Sequence, residues 1–342
     1  MRTFRPRWVF IALLLFVSAA SGALARPLEI FFIDVEGGQS TLIVSPSGQS
    51  LLIDTGWRGF EGRDADRIGQ AAKAAKVKRI DYLLITHYHR DHVGGVQQLA
   101  SQMKILNFLD HGPNIEDSKT TKEDYTDYVK ALQQGEHTVL KPGDTVPIKG
   151  LSVKVLTAAG DHIQTPLEGA GQPNSFCAST PKREADPTEN AQSVGVLVTF
   201  EKFRFLDMGD LTWNKELELM CPNNPIGTVD VLLTSHHGLN QSNSPALVDA
   251  VHPRVAIMNN GAKKGGSPDA WQIVKDSPGL EDLWQLHYAE AGGKEHNVAD
   301  SFIANVDQGD GQYIKLTAEG NGSFTVWNQR NKFEKVYKAG RK

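Results

Sequence analysis

Short apolar runs separated by Gly, Pro and Ser dominate the chain beyond residue 27, the pattern of strands joined by turns. Strands are predicted over 28–33, 40–44 and 49–53, with Gly37-Gly38 and Pro46-Ser47-Gly48 as the intervening turn signals. The third run ends in Asp54-Thr55-Gly56. The alanine-rich stretch from Asp66 to Lys76 favours helix, and Ile80 to Ile85 reads as a buried strand. Helices are expected just after Gly94-Gly95 and over 122–133, and a strand over 151–156. Residues 161–190, rich in Pro, Gly, Ser and charge, read as a long loop beside a site or an insertion. Strands resume at 194–200, 203–206, 229–234, 255–258 and 283–286, and 323–327 is the last. Strand, turn, strand and an acidic residue beside Gly occurs at 40–56 and again at 194–210, an echo that suggests internal duplication. Mixed strands and helices, with polar residues at the strand ends, predict an α/β domain of sheets covered by helices.

The N-terminus departs from this pattern. Arg2, Arg5 and Arg7 precede an apolar run from Val9 to Val17, and Ala23-Leu24-Ala25 supplies a small-x-small cleavage pattern. This is the build of a secretory signal peptide cleaved near Ala25, and the run is shorter than the roughly 20 residues of a spanning helix. An exported chain, periplasmic or extracellular, with no membrane span after cleavage is the expectation. The formal charge is −4; the leader holds three arginines and no acid, so the remainder carries −7. That acidity disfavours tight non-specific nucleic-acid binding. Residues 26–328 are assigned to one domain and 329–342 to a basic, solvated tail. Export would allow Cys177 and Cys221 to pair, without requiring it.

The densest chemistry is Thr86-His87-Tyr88-His89-Arg90-Asp91-His92-Val93-Gly94-Gly95, directly after an apolar strand. Imidazole and carboxylate together suit a borderline divalent ion such as zinc. His87 and His89 are two apart, so an extended backbone points both one way. Asp91 and His92 follow where the chain turns.

The His-x-His-x-Asp-His run resembles the signature of the metallo-β-lactamase superfamily. Phe32 to Ser40, Leu52 to Gly56 and His236-His237-Gly238 are similar to the hydrolase domains of its ComEC/Rec2-like branch, and the likeness extends from about Glu29 to Ala262. The resemblance implies an αββα sandwich with two divalent ions, zinc or manganese, at one edge of the sheets. It implies His87 and His89 on the first ion, Asp91, His92 and a late His on the second, and Asp210 bridging both. His237 is favoured as the late ligand, with His236 facing the substrate. Asp54 matches a position that orients ligands, and reads equally as a turn residue. Asn190 and Ser193 match an Asn-x-x-Ser feature that touches substrate or a loop. The superfamily's third His on the first ion has no clear match; His162 is the candidate. His287, at a strand end, is a candidate substrate contact.

Two departures fall near the expected substrate face: Gly38-Gln39-Ser40 replaces Gly-Asp-Ser, and Ser267-Pro268 replaces His-Pro. Both weigh against a DNA-degrading role, and the membrane channel of ComEC-like proteins is not in the chain. The implied activity is hydrolysis by metal-activated water, with Asp91 as base and His236 at the leaving group. A phosphoester leads as the substrate. A lactam or lactone, and a binding protein on a degenerate scaffold, are the alternatives.

Overall fold

In the computed structural model, which describes residues 1, 3, 26–307, 309 and 311–340, the apolar runs become the strands of two large sheets. The leader expected over 1–25 lies outside the described residues but for Met1 and Thr3. The chain begins with β1 (Leu28–Phe32), β2 (Thr41–Val44), β3 (Ser50–Ile53), β4 (Ile80–Leu84), β5 (Ile105–Asp110) and β6 (Glu136–Val139). Then follow β7 (Thr145–Val146), β8 (Ser152–Ala158), β9 (Asp161–His162), β10 (Gln172–Pro173), β11 (Gly195–Phe200), β12 (Phe203–Asp207) and β13 (Asn223–Asn224). The last are β14 (Val231–Leu233), β15 (Val255–Met258), β16 (Asp282–His287), β17 (Ile303–Asn305), β18 (Ile314–Ala318), β19 (Phe324–Asn328) and β20 (Glu334–Tyr337). Between them lie α1 (Arg63–Ala74), α2 (Arg90–Val93), α3 (Val96–Gln102), α4 (Lys119–Ala131), α5 (Trp213–Met220), α6 (Pro245–Val251) and α7 (Pro268–Lys275).

One sheet runs β20-β19-β18-β1-β2-β3-β4-β5-β6, the other β17-β16-β15-β14-β12-β11-β8-β7 with β9 beside β8. The duplication suspected from the sequence is visible in the pairing. β2 and β3 are antiparallel and β3 to β6 run parallel; β11 and β12 are antiparallel and β12 to β17 continue parallel, apart from β13, which pairs with β10. Inner faces of both sheets interlock around Phe32, Ile53, Leu84, Val196, Phe205 and Trp284. α1, α3 and α4 cover one outer face and α6 and α7 the other, giving the expected αββα layers. Strands covered on both sides are apolar without alternation, and β3 and β15 are buried throughout.

The parallel strands place their C-terminal turns together, where open α/β sheets hold ligands. Backbone bonds tie these turns together: within the second half His236 N–H donates to Gly209 O and Gly266 N–H to His237 O, both at 3.0 Å, within the first Gln39 N–H donates to Asp91 O at 3.0 Å, and between the halves Val194 N–H donates to Thr86 O at 2.9 Å. A Cβ on Gly38 would fall 2.4 Å from the Asp91 carbonyl oxygen, so only glycine allows that approach.

Two expectations are corrected and one open question is answered. The C-terminal segment is not simply a solvated tail: Glu334–Tyr337 pairs with β19 as an edge strand, because Tyr337 is apolar enough to be buried and stacks on Phe324. Residues 161–190 are loop-rich but hold β9, β10 and short 3-10 turns. Cys177 and Cys221, left open before, are joined in a disulfide across 44 residues of sequence. Among the described residues no helix is long and apolar enough to cross a membrane.

Candidate metal centre

The turn after β4 carries His87 to His92, closing into the single-turn α2. Asp54, just past β3, sits behind it: its carboxylate accepts from Thr86 N–H at 2.8 Å, Thr86 Oγ1 at 2.7 Å and His92 Nδ1 at 2.7 Å. That bond leaves Nε2 of His92 as the free lone pair, the arrangement that fixes a ligand histidine. His87 obeys the same logic, with Nδ1 on Thr86 Oγ1 at 3.1 Å and Nε2 without a partner. His89 reverses it: Nε2 pairs with Glu116 Oε2 at 2.9 Å, which leaves Nδ1 for another partner, and the ring centre lies 4.8 Å from that of His87. Asp54 therefore has an orienting position as well as a turn position.

The second half brings Asp210 and the His236-His237 pair. His236 and His237 have φ of 54° and 55° and Asp54 has 61°, left-handed backbone that non-glycine residues rarely adopt and that clusters at functional sites. One Asp210 oxygen stands 3.2 Å from His92 Nε2, 3.4 Å from His237 Nε2, 3.4 Å from His236 Nε2 and 3.9 Å from His87 Nε2. Asp91 Oδ2 is 3.1 Å from His237 Nε2 and 3.4 Å from His92 Nε2, and the two histidine nitrogens are 3.2 Å apart.

These spacings test the donor set. Four donors about 2.0–2.1 Å from one tetrahedral ion stand roughly 3.3 Å apart. Five of the pairs among Asp91, His92, Asp210 and His237 measure 3.1–3.4 Å, and all four residues are buried. His87 Nε2 and Asp210 Oδ1 at the cluster, and Asn190 Oδ1 beside the cavity that His89 lines, are buried without hydrogen-bond partners, a costly state that a cation would relieve. The residues present fit divalent metal.

Charge agrees with this. Burial opposes ionisation of Asp91, but Lys264, His92 and His237 outweigh it and hold its pKa well below the usual range. Burial likewise opposes Asp210, and His92, His236 and His237 overcome it in the same direction. Burial holds the His87 pKa well below its ordinary value and that of His236 down at about 4. Burial opposes charge on His92, yet Asp210, Asp91 and Asp54 hold its pKa well above the ordinary value; carboxylates that attract a proton there attract a dication equally.

Other expected residues are placed as follows. Asn190 lines a cavity of about 530 Å³ with His89, Thr212, Trp213 and Arg183. Ser193 Oγ accepts from Asp210 N–H at 3.2 Å and steadies that loop. His162 lies on β9, paired with Thr157, and has no place in the donor cluster, because strand pairing holds its backbone at the sheet edge. His287 is not turned to substrate: it is buried against Asp34 at 2.7 Å, in a network with Glu36 and Arg67 that ties the two sheets together.

Sequence reasoning missed Glu116, which orients His89 from an irregular stretch with no motif, and Lys264, whose ammonium contacts Asp91 Oδ2. It also missed the buried pair of Gln39 and Asp207: burial raises the Asp207 pKa to about 7, and Gln39 Nε2 donates to its carboxylate at 2.9 Å. The signal for Lys264 was its place after β15, a strand ending on the same rim as the ligands.

The family profile described as the metallo-beta-lactamase superfamily matches residues 33–173. Recombination protein 2 of Haemophilus influenzae is 25% identical over 73% of this chain, which spans 26% of that relative's length. A metal-dependent hydrolase of Anaeromyxobacter dehalogenans is 24% identical over 65% of this chain and 71% of its own. A metallo-beta-lactamase-fold protein of Bacillus subtilis superposes with a TM-score of 0.47 at 11% identity, covering 76% of this chain and 96% of that one.

Proposed function

We propose that this chain, a metal-dependent hydrolase of the metallo-beta-lactamase superfamily, is exported and cleaves a phosphoester with two divalent ions, zinc or manganese. One observation carries the metal reading: donors from both halves of the chain stand at the spacing of a single coordination sphere, 3.1–3.4 Å. His87 Nε2, His89 Nδ1 and Asp210 would hold the first ion, with Asn190 Oδ1 in place of the expected third His. Asp91, His92, His237 and Asp210 would hold the second. Bound there, the ions would polarise the scissile group and lower the pKa of water.

The protein's own groups do the rest. Asp91 is placed to accept or relay the proton of the attacking water. His236, buried at the edge of the donor cluster, offers its ring to the substrate. The cavity beside His89 gives the leaving group room, walled by Thr212 and Trp213. Export is supported by the leader pattern and by the Cys177–Cys221 disulfide. The phosphoester preference is supported by the likeness to the ComEC/Rec2-like branch; the acidic net charge favours a small ester over nucleic acid.

The test is metal content by mass spectrometry on the purified protein, with turnover of bis(4-nitrophenyl) phosphate and a chromogenic lactam. About two ions per chain and metal-dependent diester turnover, lost in Asp210→Ala, are expected. Turnover of the lactam alone would move the assignment to lactam hydrolysis. No metal and no turnover after adding zinc or manganese would leave a binding scaffold.

A further inference from the structure

We propose that Lys264 is a specificity-determining residue, whose ammonium holds an anionic oxygen of the substrate beside the scissile bond. The substrate class is therefore a monoanionic ester or amide, with a phosphodiester or a carboxylate supplying the oxygen. The inference rests on the hydrolase reading above and goes beyond it to the charge of the substrate.

Three observations lead there. First, the position of Lys264 is built. Its carbonyl accepts from Gly261 N–H at 2.8 Å, and a Cβ on Gly37 would fall 2.8 Å from that same oxygen. Two residues on, Gly266 N–H donates to His237 O, and a Cβ on Gly265 would lie 2.2 Å from it. The loop is thus bolted to a strand end that carries a candidate ligand. Second, the side chain reaches the cluster without being sealed in it. Its nitrogen contacts Asp91 Oδ2 and lies 5.0 Å from the centre of the Trp57 ring, while the side chain keeps 30% of its exposure. Trp57 is an aromatic floor for the cation, and an ammonium has three donors, of which Asp91 takes one. Third, among the described residues the carboxylate that pairs with Lys264 is that of Asp91. A carboxylate that also serves a dication would compensate the ammonium only in part, which leaves the ammonium charge to offer a substrate oxygen. A charge-assisted hydrogen bond to a substrate oxygen is the strong kind.

The experiment uses the metal-loaded protein and compares wild type with Lys264→Met and Lys264→Arg. Inorganic phosphate affinity is measured by titration calorimetry, metal content by mass spectrometry, and kcat and KM on three probes. These are bis(4-nitrophenyl) phosphate, a carboxylated chromogenic lactam and neutral 4-nitrophenyl acetate. For Lys264→Met, phosphate binding weakens about tenfold to a hundredfold. KM for the anionic probe that is turned over rises by a similar factor, kcat changes less, and the neutral ester is little affected. Lys264→Arg recovers most of the loss. Which anionic probe shows the effect separates phosphodiester from carboxylate. Unchanged phosphate affinity overturns the proposal. Equal losses on charged and neutral probes with metal retained also overturn it, since Lys264 would then act on Asp91. Loss of metal in Lys264→Met makes it a structural counter-ion and overturns it as well. If the wild type takes up no metal, the hydrolase reading falls, while the phosphate titration still decides the role of Lys264.

Discussion

At the Asp91–His237 end of the cluster every donor is buried and each lies within 4.8 Å of the other three. At the His87–His89 end the donors are looser. His89 is part-exposed, His87 Nε2 is 3.9 Å from Asp210, and the third position is the one proposed above for the Asn190 amide oxygen. The difference teaches that one cluster can contain a prepaid coordination sphere and an adjustable one. Proteins set metal affinity through donor type, geometry and the groups behind the ligands. The closed end suits retention of an ion, and the open end suits exchange of water and substrate at one.

The largest effect should come from the residue the two ends share. Asp210→Ala is expected to lower turnover by roughly 10²–10³-fold or more and to take metal content well below that of the wild type, checked by mass spectrometry on the purified variant. Chelator titration should then separate the ends: metal leaves in two steps, with turnover lost in the first. A single concerted step would mean the ends are equivalent. The groups behind the ligands give the next test. Glu116→Ala should weaken the more labile metal about 10–100-fold and leave the tighter one, while Asp54→Ala, which frees both His92 and the Thr86 that holds His87, should weaken both, each followed by competition with a chromogenic chelator. Asn190→His exchanges an amide oxygen for an imidazole, the better partner for zinc. It should shift the first step to higher chelator concentration, bringing the ends closer together. The smallest effect on the site is expected from Cys177→Ser with Cys221→Ser. Loss of the bridge should cost about 2–4 kcal/mol of stability in a denaturant melt, with metal content per folded molecule unchanged.

The same contrast explains what could be read from the sequence. His87 to His92 was legible because its donors are consecutive and follow an apolar strand, so one local pattern carries both fold and chemistry. The strands were legible for the same reason, and the echo between 40–56 and 194–210 became a repeated topology. Glu116 was not legible, since its partner His89 is 27 residues away and nothing local marks the pair. Lys264 meets Asp91 across 173 residues. His287 looked like a substrate contact because strand ends often carry one, but its partner Asp34 lies 253 residues off and occupies the ring. His162, expected in a loop, lies on the strand β9 and outside the donor group. The C-terminal strand was hidden because Glu334 and Lys335 sit on an edge, where charge is the ordinary way to prevent further pairing.

Asp54 and His87 to His92 come from the first sheet's strands, Asp210 and His237 from the second's. Each half alone presents an incomplete set, so full affinity for metal exists only once the halves have docked. Metal uptake is thus a report on the closure of the molecule. By linkage, an ion present at 100 times its dissociation constant stabilises the docked form by about 2.7 kcal/mol. A chain folding where the free ion is scarce would stay longer in an unlatched state, and the availability of the ion would time its maturation as well as its activity.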